Sequence, residues 1–158
     1  MVRSWPIRVS VVGLLMLVAE ATLADSSATQ PARNADQIWK FDETHRWNGW
    51  QPNGQVVDVR FDSESVLFQT RGSDPIIIGP IIEWTGTSNG QHIEIDIDCE
   101  APAEGEFYYT NTTEGPYGGF NSKWCVPVAV PTSGRQIVPV WPFWETLGRV
   151  IRIRFDPP

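Results

Sequence analysis

The clearest pattern in the chain is the alternation over residues 92–99, H-I-E-I-D-I-D-C. Ile93, Ile95, Ile97 and Cys99 fall on one parity, and His92, Glu94, Asp96 and Asp98 on the other. A period of two is what a strand with one buried face produces, and β-branched side chains suit a pleated surface. The pattern predicts a central antiparallel strand, isoleucines inward and a row of acids outward. Near the carboxyl end Ile151, Ile153 and Phe155 alternate with Arg152 and Arg154. Opposite charges across neighbouring strands add about 0.2–1 kcal/mol per pair. Glu94 and Asp96 are therefore expected to face Arg152 and Arg154 from an adjacent strand.

Shorter stretches complete the picture. Residues 38–41, 56–61, 65–70, 76–82, 106–110, 124–130, 135–140 and 149–155 each read as a strand. Gly72-Ser73-Asp74-Pro75 and Ser88-Asn89-Gly90 are turn chemistry, and Pro80 marks an edge, a bulge or a strand end. A Gly-rich loop fills 111–121, and an aromatic loop, W-P-F-W-E-T-L-G, fills 141–148. About eight or nine short strands separated by such turns predict an all-β fold, an antiparallel β-sandwich of the jelly-roll kind. No stretch carries a helical period or a repeat.

The first residues follow another logic. Arg3 and Arg8 precede the apolar run 11–19, and Thr22-Leu23-Ala24 offers small residues for cleavage. Residues 1–24 read as a signal peptide; the run falls short of the ~20 apolar residues that span a bilayer. Residues 25–36, rich in Ser, Ala, Thr, Pro and Asn, read as a flexible leader. The remaining 37–158, about 120 residues, suffice for one domain with its own core. The expectation is a secreted protein, extracellular or periplasmic, monomeric, with no membrane span in the mature chain. A net charge of −7 argues against nucleic acid and anionic membranes as partners. The two cysteines, Cys99 and Cys125, are permitted a disulfide by an oxidising compartment. Cys125 lies on the opposite parity from Trp124, Val126 and Val128, which opposes simple face-to-face pairing, so the bond stays open. No CxxC or Cys/His cluster points to zinc.

The order of features has a counterpart. Gly49-Trp50, a polar Asn53, Asp74-Pro75, the I-E-I-D-I strand, Phe107-Tyr108-Tyr109 and the terminal Arg154-Phe155-Asp156-Pro157 follow one another across 38–158. This resembles the galactose-binding-like jelly-roll β-sandwiches of bacterial carbohydrate-binding modules. The resemblance implies a non-catalytic domain recognising a polysaccharide or other glycan. In that family the Asp-Pro corner leads into one more strand. Here the sequence stops at Pro158, so either that last family strand is missing, which would leave an unpaired edge, or the sequence is a fragment.

Candidate chemistry follows from residue type. Sugars stack their C–H faces on exposed aromatics, and planar polar groups bond their hydroxyls. Trp84, Tyr117, Trp141 and Trp144 fall in loops, where binding residues collect, and Asp96 and Arg152 are the polar candidates. Glycoside hydrolysis needs paired carboxylates; the acids here lie mostly along one strand's outer row, and no nucleophile elbow is present. No catalytic residue is assigned. A structural calcium would find oxygen ligands at Asp42 and Glu43; otherwise no cofactor is expected. Asn111-Thr112-Thr113 matches a glycosylation acceptor. The alternative function is a secreted structural or protein-interaction sandwich with no sugar ligand; a glycan-active enzyme ranks below both.

Overall fold

The computed structural model describes residues 7–10, 37–85, 87 and 91–158. The rest of the segment read as signal peptide, all of 25–36 and the Ser88-Asn89-Gly90 turn lie outside the described residues. The described chain is all-β and sandwich-like, with twelve strands and only short 3-10 turns.

One five-stranded sheet runs in the order β10 (Gly134–Val140), β7 (Ile93–Cys99), β1 (Ile7–Ser10), β4 (Val66–Thr70), β3 (Val56–Phe61). The other runs β2 (Gln51–Pro52), β5 (Ile77–Ile78), β12 (Arg152–Asp156), β8 (Ala103–Thr110), β9 (Cys125–Val130). A two-stranded ribbon pairs β6 (Trp84–Thr85) with β11 (Arg149–Val150). Every pairing is antiparallel.

The central alternation holds. Ile93, Ile95, Ile97 and Cys99 are all buried on the inner face of β7. They meet Ile153, Phe155, Phe107 and Tyr109 of the opposite sheet in one apolar core. The predicted neighbour of β7 is wrong. β12 belongs to the other sheet, and β7 pairs with β10 and β1 instead. Arg135, not Arg152 or Arg154, answers the acids: it grips Asp96 with Nε–Oδ1 at 2.9 Å and Nη2–Oδ2 at 2.6 Å. Charge complementarity alone did not separate three arginines on two outward-facing strands.

Three further differences have local causes. Residues 38–41 form only an isolated bridge at Trp39, although Trp39 and Phe41 are buried and Ile38 is exposed, as the parity requires. The strand expected over 149–155 breaks after Val150, which is buried in the ribbon, and resumes at Arg152 in the main sheet. In β3 the register with β4 shifts between Val57 and Arg60, where Asp58 takes φ +53°. One inserted residue brings Val56 into phase with Val59 and Phe61, which all reach the core.

The tryptophans account for much of that core. T-shaped and tilted contacts link Trp47, Phe41, Trp50, Trp39, Trp84, Trp144, Tyr109 and Trp124 in one chain, with ring centroids 5.4–6.1 Å apart. Edge-to-face geometry is what the ring quadrupole prefers, at about 0.5–1.5 kcal/mol per pair beyond burial.

Candidate functional site

The outer face of the second sheet carries the polar residues of β8 and β12. Arg154 and Tyr108 are cross-strand partners, and the guanidinium carbon stands 4.7 Å above the ring centroid. Arg154 also grips Asp156 through Nε–Oδ1 at 2.6 Å and through Nη2–Oδ2, and reaches Asp74 Oδ1 at 3.3 Å. Burial works against the charge of Arg154, but the bonds to Asp156 and the fields of Asp156 and Asp74 hold its guanidinium above its ordinary value. Tyr108 Oη donates to Glu106 at 2.8 Å. Burial first, and that bond next, push its phenol upward, so it stays protonated.

Asp74 arrives from the turn before β5. Asn53 Nδ2 donates to its carbonyl at 2.8 Å, and its N–H donates to Gln55 Oε1 at 2.9 Å. Gly72 has φ +96°, and a Cβ there would meet Gln55 Oε1 at 2.2 Å. Glycine is thus required both for the backbone and for the close approach of Gln55.

The wall of the site is the loop after β8. Buried Thr110 pins its base: Oγ1 stands 3.0 Å from the Gly119 carbonyl and accepts from the Thr112 N–H at 3.2 Å. Phe120 anchors its far end, 3% exposed. Between them the chain turns through Tyr117, Gly118 and Gly119, all at positive φ. A Cβ on Gly119 would come within 2.3 Å of the Thr112 carbonyl oxygen, so the turn closes only with glycine. Tyr117 is the non-glycine member, at φ +56°, with its side chain 80% exposed. A left-handed residue bearing a Cβ costs roughly 1–2 kcal/mol. Strain on an exposed aromatic is a pointer to function.

Floor and wall enclose an open groove of about 660 Å³. Asp74, Tyr108 and Arg154 form its floor, and Glu114, Tyr117 and Ser122 stand along its wall. A second groove of about 410 Å³, lined by Gly72, Glu106 and Asp156, shares Asp74 with it. Between the two sheets an apolar void of about 20 Å³ sits among core rings and is too small for a ligand.

The candidates read from sequence do not converge. Tyr117 lines the groove. Trp144 is 1% exposed and Trp84 is packed between Trp39 and Trp144, so both serve the core. Trp141 is half-exposed at the end of β10, stacked on His92 with centroids 4.4 Å apart, next to the first sheet's outer face. Asp96 is buried beneath Arg135 on that sheet. Arg152 donates from Nε to the Gly79 carbonyl at 3.1 Å. The floor residues Tyr108, Arg154 and Asp74 were missed as a set. Their signal was the outward parity of β8 and β12, which places a tyrosine opposite an arginine.

The Asp42 carboxylate, a calcium candidate with Glu43, is engaged within its own turn. Asp42 Oδ1 accepts from the Thr44 N–H at 2.9 Å, the His45 N–H at 2.7 Å and the His45 ring at 2.8 Å, while Glu43 is exposed. The His45 N–H is the main reason the Asp42 carboxyl lies below its ordinary value; burial opposes it, and the His45 ring and the Thr44 N–H add to it. Among the described residues no group of three His, Cys, Asp or Glu side chains gathers as a metal site requires. Both cysteines are free thiols, Cys99 in β7 and Cys125 in β9, on different sheets. Among the described residues no helix is long and apolar enough to cross a membrane.

Comparison with protein-family models, with curated proteins and with solved structures finds no match to this chain.

Proposed function

We propose that the protein is an exported, non-catalytic carbohydrate-binding domain of the jelly-roll, galactose-binding-like type. A polysaccharide or glycan would lie in the groove above Tyr108 and Arg154. The observation that carries this reading is Tyr117, an aromatic ring held open at the rim of a polar groove by a strained, glycine-dependent turn. A pyranose stacked on Tyr117 would bring its hydroxyls toward Asp74, Arg154 and the loop side chains. Preorganisation supports the reading too. Arg154 is already fixed by Asp156 and Tyr108, so little of its side-chain freedom is lost on binding.

Affinity electrophoresis of the full chain through immobilised polysaccharides, preceded by a glycan array, tests it. Tyr117→Ala is expected to abolish retention with a melting temperature within a few degrees of the parent. Retention unchanged in Tyr117→Ala removes the groove from consideration. A parent chain retained by no glycan favours a protein-interaction role, for which Ile137, Trp141 and Phe143, exposed to 58%, 51% and 69%, offer the apolar surface.

A further inference from the structure

The first sheet contains an internal strand of unusual origin. β1 comes from the segment whose sequence marks it for cleavage, yet it lies between β4 and β7 and pairs with both. Its register sets Val9 opposite Val66 on one side and Ile97 on the other, with Arg8 opposite Leu67 and Asp98. β1 is antiparallel to each wall, so β4 and β7 run in the same direction, roughly 10 Å apart at the usual strand spacing.

Loss of β1 would leave two facing rows of backbone donors and acceptors. The gap has no easy way to close. Joining β4 to β7 would create a parallel pair in an antiparallel sheet. It would also drag the β3–β4 hairpin one strand width across a core in which Val66, Phe68, Ile95 and Ile97 are at most 1% exposed. Two unpaired strand edges facing one gap form a template for a third strand.

We infer that the gap between β4 and β7 is a strand-acceptor seat, which takes an extended segment of another polypeptide once the amino-terminal segment is cleaved away. The walls specify the guest. It runs antiparallel to both and carries β-branched apolar residues at the positions opposite Val66 and Ile97. Its alternate positions are basic, because the outward row of β7 is Glu94, Asp96 and Asp98. Arg135 already occupies Asp96 from the β10 side, so the guest's cation belongs opposite Asp98, where Arg8 stands in register. Backbone bonds would supply affinity, and this alternation the selection.

The test uses full-length protein with a specific protease site inserted within residues 25–36, folded and then cut. The cut protein is challenged with excess labelled peptide of residues 5–12. The expected result is one peptide retained per chain through gel filtration, with slow hydrogen exchange at the amides of residues 66–68 and 96–98. The same peptide carrying Val9→Pro lacks a ladder donor and should bind at least tenfold more weakly, the loss of about one hydrogen bond. If the cut protein unfolds on losing β1, peptide present during the cut should keep it folded, and the proline peptide should not. No incorporation of the parent peptide, or equal binding of both peptides, overturns the seat. Glycan retention is read in parallel and does not depend on this outcome.

Discussion

Tyr117 and Trp144 show how one residue type of signal, an aromatic in a loop, resolves into opposite roles. Trp144 links Trp84 to Tyr109 within the chain of rings and is 1% exposed, so Trp144→Ala should cost about 3–5 kcal/mol in urea unfolding. Tyr117→Gly relieves a left-handed Cβ and should leave stability the same or raise it by up to ~1 kcal/mol. A loss above 2 kcal/mol at Tyr117 would mean that its ring packs in solution. Asp42 supplies a pH-dependent test. Its carboxyl is lowered in the folded chain, chiefly by the His45 N–H. The stability it contributes is therefore complete above its ordinary value of 3.8 and is lost as pH falls through the lower folded value. Melting curves of the parent and Asp42→Asn should differ most near neutral pH and converge below that range. Curves that stay parallel down to the lowest pH would contradict the turn assignment. The sequence showed that 42–44 was a polar loop, but not that the following imidazole and N–H groups would claim the carboxylate.

At the scale of elements, strand existence was more legible than strand pairing. The period-two patterns of β4, β7, β8 and β10 are intrinsic to each segment, because side chains alternate wherever the strand sits. Pairing depends on the whole chain, and the acidic row of β7 had three basic candidates. The bulge at Asp58 and the break after Val150 were hidden for a similar reason, since a single left-handed residue or a sheet change alters parity without changing composition. The pair that did form makes a sharp prediction. Asp96 is 6% exposed at its side chain and Arg135 is 58% exposed. Arg135→Gln leaves a carboxylate buried with weaker bonding and should lower the melting temperature. Arg152→Gln, across the molecule, should leave Asp96 unaffected. If Arg135→Gln melts like the parent, the ion pair is a surface ornament and β10 is held by backbone bonds and Val138 and Val140 alone. Ile95→Asp sets the opposite limit, burying an unpaired charge at the centre of β7 and preventing folding.

For the whole molecule, the absence of a bond between Cys99 and Cys125 decides what holds the sandwich together. Each thiol belongs to a different sheet, and both are free, so the described structure rests on its apolar core and aromatic chain rather than a covalent staple. Reducing agent should therefore leave the melting temperature unchanged. Cys99 is 1% exposed, and burial, reinforced by Asp98, pushes its thiol up to about 11. At pH 8 it is almost wholly protonated as well as inaccessible, and the thiolate is the reactive form. Burial pushes Cys125 upward too, but it is only part-buried. Alkylation of the native protein should modify Cys125 slowly and Cys99 only when the sandwich opens. The rate at Cys99 should then rise with urea along the same curve as the loss of near-ultraviolet circular dichroism, because both report the same core. Two outcomes contradict this picture. A chain that takes no alkylating agent even when unfolded, until it is reduced, contains the disulfide. Fast modification of Cys99 in the native protein would mean that the β7 region opens locally, next to the seat that β1 fills.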